Sequence, residues 1–196
     1  MSSSNVPLPL ADIETGAVRL RREGPAAYVQ LHRPEKANAY NQPMLEARQE
    51  IFVRLDAASD VRVVVIFGAG PRAFCAGADL EELDRRDARD GLRLKSAEVF
   101  TAISQARPVT LAAVNGAAVA GGLELALACD LRIAAQTARF WLPEPELGLI
   151  PAAGGTQRLA RVVGHARAKE MILAGSVWNA DEALRFGLAS QVTAPE

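Results

Sequence analysis

Ala113–Val114–Asn115–Gly116–Ala117–Ala118–Val119–Ala120–Gly121–Gly122–Leu123–Glu124 is the stretch on which the reading of this chain turns. The run from Val109 to Val114 is short and apolar, as a core strand is. Asn115–Gly116 signals a turn. Gly121–Gly122 lets the backbone approach something that a Cβ would block. From Leu123 the chain reads as helix through Cys129. The first backbone N–H groups of a helix have no partner within it, and the dipole there favours negative charge. The pattern therefore predicts outward-facing donors beside Gly121 and a carboxylate, Glu124, in the same first turn. Taken alone, the stretch reads as a glycine-softened helix start with a capping glutamate, and the rest of the chain changes that reading.

Outward from this stretch, the chain alternates strands and helices. Ala17–Arg22 and Ala26–Leu31 read as a hairpin around Gly24–Pro25. A helix is predicted from Asn41 or Gln42 to near Ser59, with Leu45, Ile51, Phe52 and Leu55 on its apolar side. Val61 to Phe67 is β-branched and nearly continuous, so a strand buried on both faces is expected. Gly68 to Gly77 reads as a loop, Ala78 to Leu83 as a helix, and Lys95 to Ala106 as another that stops before Pro108. Downstream of Glu124 come a strand at Leu131–Ala135 and an irregular segment from Phe140 to Pro151. Helices follow at 154–163, 166–173 and 180–186, and the last strand is Leu188–Val192. This order predicts an α/β fold with parallel crossovers. Met1 to Thr15, rich in Ser and Pro, and the charged segment from Asp84 to Leu92 are expected to be loose.

The 196 residues carry a net charge of −1, with 49% hydrophobic and 23% charged residues. That suits one globular domain and gives no broad attraction to nucleic acid or an anionic membrane. Cys75 and Cys129 lie in apolar stretches and read as buried thiols. Two histidines, His32 and His165, without a ligand pattern predict no metal site. No signal peptide, transit peptide or membrane span is recognised, so a cytoplasmic location is expected.

Three constellations bear on chemistry. Gly68–Ala69–Gly70–Pro71–Arg72–Ala73 matches a dinucleotide-binding fingerprint after a strand, but Pro71 removes a donor from the phosphate cradle and no helix follows directly. Ala73 to Leu80 is a small-residue loop entering a helix at Ala78–Asp79. Two helix N-termini, at Ala78 and Gly121, are thus expected to aim backbone donors at one oxygen, as an oxyanion hole does. The third is Glu144, which follows Glu124 by 20 positions (144 − 124) among Phe140, Trp141, Leu142, Leu147 and Ile150. A carboxylate in such surroundings has its pKa raised, and a second one nearby raises it further. Serine-hydrolase chemistry is unsupported, because G-x-S-x-G is absent.

Together these segments resemble the enoyl-CoA hydratase/isomerase (crotonase) family. The resemblance is carried by Arg33–Pro34 with Asn38–Ala39, Ala73 to Leu80, Ala113 to Gly116, Gly121 to Ala126, Cys129–Asp130, Pro143–Glu144, Leu147–Gly148, Pro151 and Gly154 to Leu159, in the family's order. It implies a crotonase-like (ClpP/crotonase) spiral of ββα units over 17–196 that binds an acyl-CoA thioester. The implied oxyanion donors are the N–H groups of Ala78 and Gly121. The implied catalytic pair is Glu124 and Glu144, which is the pattern of a 2-enoyl-CoA hydratase. Contacts to coenzyme A fall on Lys36, Ala37, Ala76, Asp79 and Leu80. No separate cofactor or metal is implied.

Trp141 stands where many family members have glycine, so a narrowed acyl pocket is expected. The family's C-terminal helices have no counterpart before Glu196, although the family pattern is a homotrimer or homohexamer. Isomerisation of an enoyl-CoA, other acyl-CoA chemistry on the same site, and a weakly active CoA-binding subunit stand as alternatives to hydration.

Overall fold

A computed structural model of the chain describes residues 13–15, 17–85 and 94–194. Of the segments expected to be loose, Met1 to Thr15 and Asp84 to Leu92, residues 1–12 and 86–92 lie outside the described residues. Residues 13–15 form a strand, and residues 84–85 form a turn after Leu83.

Two sheets organise the molecule. The larger has seven strands. It starts with β1 (Ile13–Thr15), β2 (Val18–Glu23) and β3 (Ala26–Leu31), paired antiparallel. From β3 it continues in parallel through β4 (Val63–Gly68), β6 (Val109–Val114), β8 (Leu131–Ala135) and β11 (Gln191–Thr193). The smaller has four short strands: β5 (Ala73–Cys75), β7 (Ala117–Val119), β9 (Arg139–Trp141) and β10 (Trp178–Asn179), in the order β10-β9-β7-β5.

The chain reaches these sheets by repeating one move. A long strand is followed by a short strand in the second sheet and then by helix: β4, β5, then α2 (Leu80–Leu83) and α3 (Lys95–Ser104); β6, β7, then α4 (Gly121–Ala128); β8, β9, then α5 (Gly155–Ala174). The corresponding strands of successive turns pair in parallel, so the turns stack into a spiral of ββα units. Helix α1 (Gln42–Ala57) precedes the spiral and α6 (Ala180–Arg185) closes it.

The short strands were not visible in the sequence. β5 lies inside the expected 68–77 loop, and β9 opens the segment expected to be irregular. Runs of three residues carry too little periodicity to read, and pairing with neighbours makes them strands.

Asn41 caps α1 by accepting from the Met44 N–H, and Pro43 sits in its first turn. The helices expected at 154–163 and 166–173 are one run broken at Gly164, whose φ of 80° and ψ of 158° are not helical.

The core lies between the large sheet and the helices. Val64 and Ile66 of β4, Ala112 and Val114 of β6, and Ala134 of β8 point inward, and all eight residues of α4 are buried. The expectation that the Val61–Phe67 strand is buried on both faces is corrected. Its residues alternate between buried and half-buried, with Val63, Val65 and Phe67 on the half-buried face. No helix of the described residues is long and apolar enough to cross a membrane.

Candidate active site

The turn between β7 and α4 is strained. Ala120 has φ 50° and ψ −127°, a region that L side chains rarely adopt. Its N–H donates to the Trp141 carbonyl at 3.0 Å. Its carbonyl accepts from Leu123 and Glu124 at 2.9 and 3.1 Å. These bonds satisfy two of the helix's orphan donors and leave the Gly121 N–H outside the intrahelical ladder.

Ala78 arrives at the same place by a different device from the one expected. It is not the first residue of a helix, because α2 begins at Leu80 with Asp79 as its N-cap. Instead it pairs with Tyr40 in a one-residue parallel bridge. The Tyr40 N–H donates to the Gly77 carbonyl and the Asp79 N–H donates to the Tyr40 carbonyl, both at 2.8 Å. Bonding through the residues on either side turns Ala78's own N–H away from Tyr40, as parallel-strand geometry requires. Gly77, at φ 96°, brings this segment against the other donor: a Cβ there would sit 3.2 Å from the Gly121 nitrogen and 3.1 Å from Ala120 Cβ. Neither glycine after Ala120 has room for a side chain. A Cβ on Gly121 would lie 2.1 Å from Tyr40 Oη, and one on Gly122 would lie 1.9 Å from the Cys75 carbonyl oxygen.

Both glutamates are buried, Glu124 at 3% exposure and Glu144 at 8%. Glu124 projects from the first turn of α4, and its Oε1 accepts from the N–H groups of Ala153 and Gly155, each at 2.8 Å. Burial raises its pKa, and the two backbone donors and the nearby Arg158 charge oppose that rise. Glu144 opens a short 3-10 turn, Glu144–Leu147. Its Oε2 is buried and has no hydrogen-bond partner. Burial, and to a lesser extent the charge of Glu124, push its pKa up to about 7, with its own backbone N–H pulling the other way. The Glu124 charge therefore reaches Glu144.

The residues assigned to coenzyme A by resemblance form one lip beside Ala78. The Ala76 N–H donates to the Ala37 carbonyl at 3.1 Å, Lys36 pairs with Glu81 at 2.5 Å on the surface, and Leu80 is exposed. Asp79 is already engaged. Its carboxylate accepts from Arg33 at 2.9 Å and from the Glu81 N–H at 3.0 Å, and the Arg33 guanidinium holds its pKa low. Trp141 is half-buried at the end of β9, in register with Val119, on the opposite side of its strand from fully buried Phe140.

Several residues of the site lay outside the sequence reading. Tyr40 carries both donors' supports, yet nothing local marks it. Ala153 donates through its backbone, which residue type does not reveal. Asn38 was seen only as a motif member. Its buried side chain donates to the Ala69 and Ala73 carbonyls at 3.0 and 2.8 Å and so closes the Gly68–Ala73 loop onto β5. That loop leads into a strand and not a helix, which removes the geometry of a dinucleotide cradle. Cys75 and Cys129 are free and buried, with thiol pKa values pushed up by burial, that of Cys129 to about 12.

The adjoining Gly77–Ala78 and Ala120–Gly121 turns and two buried carboxyl groups lie on a spiral of ββα turns, the architecture of the crotonase fold. The enoyl-CoA hydratase/isomerase family model matches residues 21–196, and the chain belongs to that family. It is 47% identical over 174 residues to a putative enoyl-CoA hydratase/isomerase, YngF, of Bacillus subtilis, covering 86% of this chain and 66% of that protein. It is 40% identical over 185 residues to the short-chain-enoyl-CoA hydratase of Clostridium acetobutylicum, covering 93% and 71%. The crystal structure of an enoyl-CoA hydratase from Bacillus anthracis superposes with a TM-score of 0.88 at 38% identity, covering 91% of this chain and 70% of that one. Pseudomonas aeruginosa DspI superposes at 0.91 with 37% identity, covering 96% and 72%. The chain thus spans about two thirds of the length of the relatives it matches.

Proposed function

We propose that this chain adds water across the double bond of a trans-2-enoyl-CoA, giving a 3-hydroxyacyl-CoA. The observation that carries this reading is the pair of buried carboxyl groups, Glu144 with its pKa raised to about 7 by burial and by the Glu124 charge, on a chain whose Gly77–Ala78 and Gly121 backbones adjoin. The thioester carbonyl accepts from the N–H groups of Ala78 and Gly121, which stabilise the negative charge that develops on its oxygen. Loss of one such donor typically costs ~3–4 kcal/mol of transition-state stabilisation.

Glu124, ionised and held on one oxygen, takes a proton from water as its hydroxyl attacks Cβ. Glu144, protonated, delivers a proton to Cα, and a carboxyl group with a pKa near the working pH suits that task. Atoms balance as one water added per double bond. Lys36, Ala37, Ala76 and Leu80 are the proposed coenzyme A lip, with Asp79 holding its shape, and no further cofactor takes part. A homotrimer or homohexamer belongs to the same reading.

One observation favours a second reaction. The grip of two backbone donors on Glu124 also suits a structural carboxylate, leaving Glu144 alone to shuttle a proton in double-bond isomerisation. Crotonyl-CoA and a 3-enoyl-CoA, each incubated in heavy-oxygen water with product identification by mass spectrometry, decide between them. Hydration gives labelled 3-hydroxyacyl-CoA, and isomerisation shifts the double bond without label. Glu124→Gln and Glu144→Gln are each expected to slow hydration by about 10²–10⁴-fold. Wild-type rates in both variants would overturn the proposal.

A further inference from the structure

Arg48 has no role in the chemistry above and no conventional reason to be where it is. It projects from α1 into the core and is fully buried. Its Nε donates to the Met44 carbonyl at 3.3 Å, one turn back, while Nη1 and Nη2 have no hydrogen-bond partner. An apolar side chain of similar length would fill this space without the cost of burying an unpaired cation. Unsatisfied buried groups of this kind call for an explanation.

The explanation lies in what the guanidinium touches. Its Cζ stands 5.3 Å from the ring centroid of Tyr40 and 5.7 Å from that of Phe100. Those two rings meet edge-to-face, with centroids 5.7 Å apart. Tyr40 is therefore wedged between α1 and α3, with its hydroxyl end against Gly121, where a Cβ would lie 2.1 Å from Oη. At its other end, the Tyr40 backbone brackets Ala78. One residue thus supports both proposed oxyanion donors, through its main chain for Ala78 and through its ring for Gly121. The hydroxyl also interacts with Ser96 on α3.

We propose that Arg48 is a positioning residue that acts through Tyr40: its guanidinium, packed with Phe100 against the Tyr40 ring, holds that ring against Gly121 and so sets the separation of the two backbone donors. This rests on the reading of Ala78 and Gly121 as an oxyanion hole. The Tyr40 backbone bridge does not depend on Arg48, so losing the guanidinium loosens one donor and leaves the other in place.

The test uses the full chain carrying Arg48→Met, compared with wild type in three measurements. These are kcat and KM on crotonyl-CoA, thermal melting, and the infrared carbonyl band of bound butyryl-CoA labelled with carbon-13 at the thioester carbon. This saturated thioester cannot react, and hydrogen bonding lowers its carbonyl frequency. Arg48→Met is expected to lower kcat about tenfold with KM within threefold, to weaken the band shift, and to melt no lower than wild type, because an unpaired buried charge has been removed. A merely structural arginine would instead lower the melting temperature and leave the band unchanged. Wild-type kcat and band in Arg48→Met overturn the role of Arg48. No band shift in the wild-type complex, or no binding, overturns the oxyanion reading itself. Should Arg48→Met not fold, Arg48→Lys, which loses the planar face against Tyr40, is expected to shift kcat and band in the same direction. Wild-type values there overturn the proposal equally.

Discussion

Glu124 Oε1 and the backbone nitrogen of Gly155 lie 2.8 Å apart, and the nitrogen of Ala153 approaches the same oxygen equally closely. The opening turn of α5 therefore decides where the carboxylate of α4 points. A Cβ on Gly155 would sit 2.9 Å from Oε1 and 2.9 Å from Pro151 Cβ. Gly155→Ala should push the carboxylate aside while leaving the helix intact. A misplacement of about 1 Å is expected to lower kcat on crotonyl-CoA about 10²-fold. Steady-state kinetics with a melting curve checks this, and a folded variant with wild-type kcat would show that the grip is irrelevant to catalysis.

The Glu144 carboxyl group, raised to about 7, predicts two pH effects. In the proposed mechanism the active pair holds one proton, on Glu144 before hydration and on Glu124 after it. kcat/KM should fall tenfold per unit above an apparent pKa near 7, a value that belongs to the pair. The same limb must appear for hydration and for dehydration, because their ratio is the equilibrium constant of a reaction that neither takes up nor releases a proton. A flat profile from pH 6 to 9 in either direction counts against the assignment.

Stability carries the same group with a definite sign. An acid whose pKa is higher in the folded state stabilises the fold fully below its ordinary value of 4.5, and that contribution is lost as pH rises through about 7. Glu144→Gln should therefore be more stable than wild type at pH 8, by about 2 kcal/mol after allowance for solvent screening. The advantage should vanish near pH 4. Urea unfolding at the two pH values measures it, and an equal difference at both would be inconsistent with the raised pKa.

Gly121 and Gly122 are adjacent, but they should fail differently. A Cβ on Gly122 meets backbone, 1.9 Å from the Cys75 carbonyl oxygen, which cannot move without separating α4 from β5. Gly122→Ala is expected to destabilise the protein by more than about 3 kcal/mol, the range of severe overpacking. A Cβ on Gly121 meets the end of a side chain, Tyr40 Oη. Gly121→Ala should remain folded and lose about 10²–10³-fold in kcat, as for the loss of one oxyanion donor. Equal melting temperatures for the two variants would contradict this distinction.

Trp141 is half-buried beside the Ala120 turn, whose N–H donates to its carbonyl. If the ring lines the acyl end of the site, it occupies space worth several methylenes, at ~0.8 kcal/mol each. Trp141→Gly is expected to raise kcat/KM for C8 relative to C4 enoyl-CoA by at least about tenfold, or ~1.4 kcal/mol. Competition between the two substrates in one vessel reads the ratio directly. An unchanged ratio in a folded variant places the ring away from substrate.

The sequence by itself determined the long elements and the chemical inventory. Val63–Gly68, Val109–Val114 and Leu131–Ala135 declare themselves as strands because each is a short, largely apolar run. The Asn41 cap and the break at Gly164 are equally local signals. Glu144 stands out in the sequence because its neighbours along the chain are apolar, and the family resemblance pairs it with Glu124.

Only the tertiary structure decided how the donors are aimed. Ala78 reads as a helix start, yet its N–H is oriented by a bridge to Tyr40, 38 positions away (78 − 40). The grip on Glu124 comes from Ala153 and Gly155, whose backbone groups leave no mark in residue type. Three-residue strands such as Ala73–Cys75 exist only because a neighbour supplies their hydrogen bonds. Nothing local marks Arg48 for burial, and it is the packing of α1 against α3 that places its guanidinium beside two aromatic rings. In each case the deciding interaction is between backbone groups or faces far apart in sequence, and local residue pattern reports only what each segment prefers on its own.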